Sequence, residues 1–283
     1  MISAAKSRSV SGMSPFEIAT VGDNCIDRYL PVGQSAVGGN AVNVAVHLCG
    51  LGRRVGYFGA VGDDEDGRRV LGCLAARGVD TGPVLVRPGR TAVTDLDIDA
   101  TGDRVIAFED FGACAGYRPP DADRTRLRRM RHVHLGWLDD GGALRRELAA
   151  AGVSISQDLA VNPGAEGLAI AFGSAGEDRG RARQLARDFL DQGARIAVVT
   201  CGARGSVAAD GAAMVEADAA PVEVVDTTGA GDTFIAAFID AHLAGGSLGA
   251  CLEAARQAAA LTCRHVGGFA QDLQPLPGAL RDD

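Results

Sequence analysis

Short apolar runs alternate with longer amphipathic runs along the chain. The run "FEIATVG" (16–22) is rich in strand-forming residues and ends in glycine, and "AVNVAVHLCGLG" (41–52) has apolar residues at helical spacing before its closing glycines. The next run, "RVGYFGAVG" (54–62), returns to a strand pattern. This order predicts a β-α-β unit, in which a helix connects two parallel strands.

The same alternation continues through the middle of the chain. It predicts helices at 67–78, 142–152 and 177–193 and strands at 132–137, 153–159 and 194–202. Parallel strands need crossover helices and are buried on both faces. We therefore predict an α/β fold, a three-layer sandwich with a mostly parallel central sheet.

One segment departs from this rhythm. The run "TAVTDLDIDATGDRVIAFED" (91–110) alternates with period two on both sides of "ATGD", which is typical of a β-hairpin. Asp95, Asp97 and Asp99 fall on one face of its first strand. The hairpin is a candidate lid, and the alternative that these aspartates form only the solvent-exposed face of an edge hairpin stays open.

Composition and charge narrow the class of protein. A chain of 283 residues with 47% hydrophobic residues can bury one large core, so we expect one main domain at 15–283 after a disordered leader at 1–14. A net charge of −8 argues against nucleic acid or an anionic membrane as the main partner. The seven cysteines include no C-x-x-C pair, so we expect reduced thiols in a cytoplasmic protein.

The run "VDTTGAGDTFIAAFIDAHLAG" (225–245) carries the clearest candidate chemistry. Glycine-rich residues precede an apolar helix, and a helix N-terminus attracts anions through its free N–H groups. The segment Gly229, Ala230, Gly231 is therefore a candidate phosphate cradle. Asp232 would repel a bound phosphate, and the role that explains an acid there is general base for an attacking hydroxyl. The alternative is an ordinary helix start rich in Asp and Gly.

Two motifs resemble the signatures of the ribokinase/PfkB sugar kinase family. "DTTGAGD" (226–232) is similar to the second signature, and "VGGNAVNVAVHLCGLG" (37–52) is similar to the first. The segments at 60–84 and 198–211 also resemble family blocks. The resemblance implies a ribokinase-like fold, a β lid formed from about 27–37 and 88–112, and ATP-dependent phosphoryl transfer to a sugar hydroxyl.

The resemblance also implies a set of site residues. Asp232 would act as base, with the sugar held by Asp27, Gly39, Asn40 and Asn43, the nucleotide by Thr200, Gly202 and Gly205, and the anion-binding loop supported by Asp226. A monovalent cation beside Asp226 belongs to the same implied set. Judged without the resemblance, Asn40 could be a helix cap and Asn43 a solvent-facing helical residue.

Magnesium is expected because the charge on ATP phosphates must be neutralised during transfer. Many relatives carry an N-x-x-E segment for this, but the corresponding region here reads "AIAFGSAGEDRG" (169–180), which leaves Glu177 as the candidate metal-binding residue. His132 and His134 share a strand face, and we interpret them as residues of a packed strand and give them no catalytic role.

Within the family, the runs at 20–46 and 172–178 resemble the fructoselysine 6-kinase subgroup. The implied substrate is a fructosamine such as fructoselysine, whose amines Asp95 and Asp97 of the lid could bind if their face closes on it. Two alternatives stay open. One is a kinase for a plain sugar or nucleoside, of ribokinase, fructokinase or adenosine kinase type, and the other is a non-catalytic sugar- or nucleotide-binding regulator. A homodimer formed through the lid edges is also expected.

Overall fold

The computed structural model describes residues 16–98 and 104–276. The predicted leader at 1–14, Asp99 and the predicted turn after it lie outside the described residues. Within the two described ranges, no α-helix combines the length and the apolar character that a bilayer-spanning helix needs.

The described residues form fifteen strands and seven α-helices. The strands are β1 (Ile18–Val21), β2 (Cys25–Tyr29), β3 (Gln34–Gly38), β4 (Val55–Phe58), β5 (Ala60–Gly62), β6 (Leu85–Arg87), β7 (Val93–Ile98), β8 (Arg104–Asp110), β9 (His132–Leu135), β10 (Ile155–Asp158), β11 (Ile170–Ser174), β12 (Ile196–Thr200), β13 (Ser206–Asp210), β14 (Met214–Ala217) and β15 (Gln274–Pro275). The helices are α1 (Asn40–Gly50), α2 (Glu65–Ala75), α3 (Asp121–Leu127), α4 (Ala143–Ala150), α5 (Arg179–Asp191), α6 (Ala230–Leu243) and α7 (Leu248–Thr262).

The central sheet has eight strands in the order β14-β13-β12-β11-β10-β9-β1-β4. Its strands from β12 to β4 are parallel, and β13 and β14 add an antiparallel edge. The predicted mostly parallel sheet is confirmed. Buried side chains of α1, α6 and α7 form one core, whereas those of α3, α4 and α5 form another with the alternate residues of the same strands. The fold is thus the predicted three-layer α/β sandwich.

A second sheet has the strand order β15-β3-β2-β7-β8. β7 and β8 pair antiparallel, with a register irregularity after Asp95, and β7 pairs parallel with β2. The second sheet therefore brings together three segments that are distant in the sequence, one before α1, one after α2 and one after α7. The sheet includes Asp27 on β2, so the strand register decides which side chains of the other strands share a face with Asp27.

Several element boundaries differ from the periodicity prediction for local reasons. The predicted strand at 54–62 is split at Gly59 into β4 and β5, which belong to different sheets. A Cβ there would lie 2.1 Å from the Tyr57 hydroxyl oxygen, so only glycine fits. Helix α2 begins two residues before the predicted range because Asp64 caps it by accepting a hydrogen bond from the Gly67 N–H.

Candidate active site

The N-terminal turns of α1 and α6 meet at the carboxylate of Asp232. Asn40 Nδ2 donates to Asp232 Oδ1 at 2.7 Å, and Asn43 Nδ2 donates to Oδ2 at 2.7 Å. Residues three apart on a helix lie on one face, so α1 presents both amides in the same direction. The structure thus brings together three of the residues predicted from the sequence, with one amide donor for each carboxylate oxygen.

Other acids surround this contact. Asp158, at the end of β10, accepts a second hydrogen bond from Asn40 Nδ2 at 3.2 Å. The pKa of Asp232 is raised to about 8, chiefly by burial, with smaller increases from the charges of Asp158 and Asp23 and opposing decreases from the hydrogen bonds of Asn43 and Asn40. Burial also raises the pKa of Asp158 to about 6. The Asp232 carboxyl is therefore suited to holding a proton near neutral pH.

Asp23 anchors the start of α1. Its carboxylate accepts hydrogen bonds from the backbone N–H groups of Asn40, Ala41 and Trp137, at 2.7, 3.3 and 2.9 Å. The residue before the helix, Gly39, has no side chain that could cap it, so an acid from the end of β1 supplies the acceptor. Sequence reasoning missed Asp23 and Asp158. The available signal was an acid at or just after the carboxyl end of a parallel strand, where α/β sheets bind ligands.

Asp27, the predicted sugar-binding acid, lies buried on β2. Burial raises its pKa to about 6, and Cys25 Sγ donates a hydrogen bond to Oδ1 at 3.1 Å. Gly38 and Gly39, which precede α1, have steric reasons to be glycine. A Cβ on Gly38 would lie 2.1 Å from Asp27 Oδ2, and Gly39 has a φ of +106° with Asn24 Cα only 2.6 Å from its ideal Cβ.

The predicted phosphate cradle forms the entrance to α6. Gly229 has a φ of +72°, and a Cβ there would lie 2.3 Å from Gly268 Cα, so its glycine is required by the fold. A Cβ on Gly231 would meet no heavy atom within 4 Å. The Ala230 N–H, the first of the helix, donates to the Thr227 carbonyl oxygen at 3.2 Å. The next N–H groups, of Gly231 and Asp232, lie in the first turn of the helix and carry the positive end of the helix dipole.

Asp226 supports this loop from inside. Its side chain is 2% exposed, Oδ1 accepts the Thr228 N–H, and Oδ2 accepts the Gly267 N–H, both at 2.8 Å. The carboxylate thus ties the loop before α6 to the segment after α7.

The predicted nucleotide-side residues lie at a different turn. Thr200 ends β12, and Gly202 and Gly205 adopt φ values of +52° and +91° in the turn that leads to β13. A Cβ on Gly205 would lie 2.0 Å from the Ala217 carbonyl oxygen. Glu177 is exposed beside this turn, with its Cγ 3.6 Å from the ideal Cβ of Gly202. In the described part of the chain, no three His, Cys, Asp or Glu side chains cluster as a metal site.

The strand register of the second sheet corrects the hypothesis about the lid acids. Asp27, Thr94 and Glu109 are paired across β2, β7 and β8 and therefore share a face. Asp95 alternates to the opposite face, where it forms an ion pair with Arg28.

That opposite face is turned towards α2, since Ser35 of β3, the register partner of Arg28, accepts a hydrogen bond from Arg69 at 2.8 Å. The hypothesis that the face carrying Asp95 and Asp97 closes on the substrate is therefore wrong. The lid acid on the face of Asp27, which we call the cleft face, is Glu109. Its pKa is raised by burial and by the charge of Asp23.

Comparisons with known proteins identify the family and the fold. The sequence matches the profile described as "pfkB family carbohydrate kinase" over residues 22–134 and 142–273. It is 33% identical over 259 residues to fructoselysine 6-kinase of Escherichia coli, covering 89% of this chain and 99% of the relative. It is 34% identical over 241 residues to ATP-dependent ribose-1-phosphate kinase of Halopiger xanaduensis, covering 81% of each chain.

The fold is similar to that of Arabidopsis thaliana ribokinase, solved in complex with ribose and ATP. The TM-score is 0.79 at 24% identity, and the similarity covers 90% of this chain and 94% of the ribokinase chain. At this identity the match establishes a shared ribokinase-like fold.

The raised pKa of Asp232 predicts a pH-dependent effect on stability. The folded state retains a proton on Asp232 up to about pH 8, whereas the unfolded chain loses it near pH 4, so this group destabilises the fold progressively as pH rises between these values. Asp232→Asn removes this loss of stability, because asparagine does not ionise. The gain in Tm over wild type should be larger at pH 8.5 than at pH 5, by at least about 2 °C, the shift that about 1 kcal/mol produces in a chain of this size.

Thermal unfolding of the ligand-free protein, followed by circular dichroism, measures this difference. Asp240→Asn on the same helix is the control, because it breaks the ion pair with Arg53 and should lower the Tm. A Tm difference between Asp232→Asn and wild type that is equal at both pH values would contradict the assignment of a raised pKa.

Proposed function

The chain belongs to the pfkB family of carbohydrate kinases, and we propose that its substrate is a fructosamine such as fructoselysine. The family assignment makes it an ATP-dependent sugar kinase, a phosphotransferase that acts on an alcohol group. The observation that carries the proposed mechanism is the Asp232 carboxyl, held by two amides at the N-terminus of α6 and raised in pKa to about 8. The finer substrate assignment is supported by the similarity to fructoselysine 6-kinase over 99% of that relative.

In this mechanism Asp232 is the general base. It accepts the proton of the attacking sugar hydroxyl as the oxygen forms a bond to the γ-phosphorus of ATP and the bond to the bridging oxygen of ADP breaks. With a pKa near 8 the ligand-free carboxyl is mostly protonated at neutral pH, so Asp232 acts as base once positive charge brought in with the ligands has favoured its ionised form. The N–H groups of Gly231 and Asp232 would stabilise the charge on the transferred phosphoryl group, since they lie in the first turn of the helix.

The sugar would lie between the second sheet and α1. Asp27 has a buried carboxylate with Cys25 Sγ as hydrogen-bond donor, and it can accept from a pair of sugar hydroxyls. Asn40 and Asn43 orient the base, and the backbone of Gly39 allows the ring to approach closely. The small second sheet, which contains the predicted lid strands, would cover the sugar.

ATP would lie along the turn that contains Thr200, Gly202 and Gly205. Mg²⁺ neutralises the charge on the ATP phosphates when it is bound. It would enter with ATP and be held mainly by phosphate oxygens, with Glu177 as the protein carboxylate on the nucleotide side, since Glu177 is exposed beside Gly202. A monovalent cation beside the loop supported by Asp226 stays a prediction.

Two alternatives to a fructosamine kinase are a plain sugar or nucleoside kinase and a non-catalytic regulator. A plain sugar or nucleoside kinase is supported by the similarity to ATP-dependent ribose-1-phosphate kinase. A non-catalytic regulator is disfavoured, because a buried acid with a raised pKa beside a helix N-terminus costs stability and has no use in simple binding.

We also propose a cytoplasmic homodimer. β8 pairs with β7 and with no other described strand, and its Ile106 and Phe108 side chains are 62% and 52% exposed. An open edge with exposed apolar residues favours pairing with a second copy.

All seven cysteines are free thiols, which fits a reducing compartment such as the cytoplasm.

The assay for the proposed function measures ADP release with ATP, magnesium and each of fructoselysine, fructose, ribose and adenosine. Wild type should show its highest kcat/KM with fructoselysine. Asp232→Asn should lower kcat by about 10² to 10⁴ with little change in nucleotide affinity, because the side chain keeps its size and loses proton acceptance. Near-normal turnover by the variant would refute the base, and a higher kcat/KM with another substrate would refute the fructosamine.

The two glycines of the cradle should respond differently to valine. Gly231→Val should lower kcat/KM by at least about tenfold while the Tm stays close to wild type, because the new side chain meets only open space where the phosphate would approach. Gly229→Val is the contrasting variant and should lower the Tm strongly, since a Cβ there collides with Gly268. Activity loss in Gly231→Val that merely follows loss of folded protein would contradict the cradle.

Glu109 should recognise the amino-acid arm of fructoselysine. Glu109→Gln removes the charge that would pair with an amine, and loss of about 1.4 kcal/mol would raise the KM for fructoselysine about tenfold at unchanged kcat. The kinetics of fructose should not change, because fructose has no arm. Asp95→Asn is the matched control on the opposite face, and an equal KM effect there would contradict the role of Glu109.

A further inference from the structure

A row of hydroxyl and imidazole groups crosses the central sheet and ends at Asn40. Ser154 Oγ lies 3.0 Å from His132 Nδ1, and His132 Nε2 lies 2.8 Å from Ser156 Oγ. Ser156 Oγ lies 2.9 Å from His134 Nδ1, and His134 Nε2 lies 3.1 Å from Asn40 Oδ1. The two histidines and Ser156 are 0% exposed. The row lies on one face because His134 and Ser156 are register partners on the adjacent strands β9 and β10.

The hydrogen-bonding groups at the Asn40 end of the row determine which atom donates in each hydrogen bond. Asp158 has a pKa of about 6, so it is mostly ionised at neutral pH and only accepts hydrogen bonds. The Nδ2 group of Asn40 therefore faces Asp158 and the neighbouring Asp232, and its carbonyl Oδ1 faces His134. A carbonyl oxygen also only accepts. His134 must therefore carry its proton on Nε2 and leave Nδ1 as an acceptor.

The assignment continues away from the site. Ser156 has one hydroxyl proton, which it donates to His134 Nδ1, so its oxygen is left to accept from His132 Nε2. Burial lowers the pKa of both histidines to about 3, which keeps both rings neutral. Each donor then points towards Asp232. Since the Asn40 amide does not relay a proton as an imidazole does, His134 can act on the site only by orienting Asn40, the residue that it contacts.

We propose that His134, with its tautomer fixed by Ser156, is a positioning residue that holds the Asn40 amide with both N–H groups towards Asp158 and Asp232. This inference rests on the proposed role of Asp232 as base. Without the donor at His134 Nε2, a rotated Asn40 would present its carbonyl oxygen to two acids and displace the Asp232 carboxylate from the sugar hydroxyl. A periodic strand pattern alone gave these histidines only a packing role.

A matched pair of variants tests the proposal. His134→Leu and His132→Leu remove the same ring from the same strand at equal burial, but only the first breaks a contact with Asn40. We expect His134→Leu to lower kcat about 10- to 100-fold with less than a threefold change in the KM for ATP. His132→Leu should lower the Tm about as much as His134→Leu does, but it should keep kcat within about twofold of wild type. Equal kcat values in the two variants would overturn the proposal.

A conservative variant provides the rescue. The amide nitrogen of His134→Gln can occupy the place of Nε2 and donate to Asn40, so it should recover most of the kcat lost in His134→Leu. Failure to recover would argue for a merely structural ring. If Asp232→Asn keeps its activity, the proposed base fails. If Asp232→Asn is inactive while His134→Leu turns over normally, only the positioning role fails.

The tautomer can be observed directly in the wild-type protein. Long-range ¹H–¹⁵N spectra of ¹⁵N-histidine-labelled protein at pH 7, assigned with the His132→Leu and His134→Gln variants, should show His134 protonated on Nε2 and not on Nδ1. A proton on Nδ1 would require the reverse orientation of Ser156 and Asn40, and it would overturn the proposal even if the leucine variants fail to fold.

Discussion

The contact between α1 and α6 through Asp232 organises the rest of the molecule. Asn40 and Asn43 can reach its two carboxylate oxygens only if both helices begin at the same end of the central sheet. Asp23 fixes the start of α1, and Asp226 fixes the loop before α6. Each of these supports is itself an acid that accepts backbone N–H groups. Two carboxylates, those of Asp23 and Asp226, therefore hold the backbone of the site in place, and the carboxyl group of Asp232 lies between the two helices that they position.

The strand register of the second sheet explains which acids can serve the site. A strand alternates its side chains, so a difference of one residue decides between the cleft face and the α2 face. Thr94 and Glu109 follow Asp27 onto the cleft face, whereas Asp95 follows Arg28 away from it. Selectivity for a positively charged substrate would therefore depend on Glu109 of β8.

The parts of the fold and site that follow local rules could be predicted from the sequence. The parallel sheet follows from the alternation of apolar strands and helices, and Gly229 to Asp232 follow from the physics of a helix N-terminus. The strand-end positions of Asp23 and Asp158 were a usable signal that they lie at the site. Their partners and the role of His134 could not be predicted, because these contacts involve residues distant in the chain. The face of Asp95 was also beyond a periodicity argument, since alternation fixes which residues share a face but not which way that face points.

The cluster of acids has a consequence for measurements of binding heat. Burial raises the pKa values of Asp27 and Asp158 to about 6 and that of Asp232 to about 8, so the ligand-free cleft retains protons at neutral pH. A ligand that brings positive charge into the cleft stabilises the ionised carboxylates and drives protons into the medium. Isothermal titration calorimetry will then report an enthalpy that includes the protonation heat of the buffer. Titrations in phosphate and in Tris will differ, and the slope against buffer ionisation enthalpy will count the protons that the cleft releases.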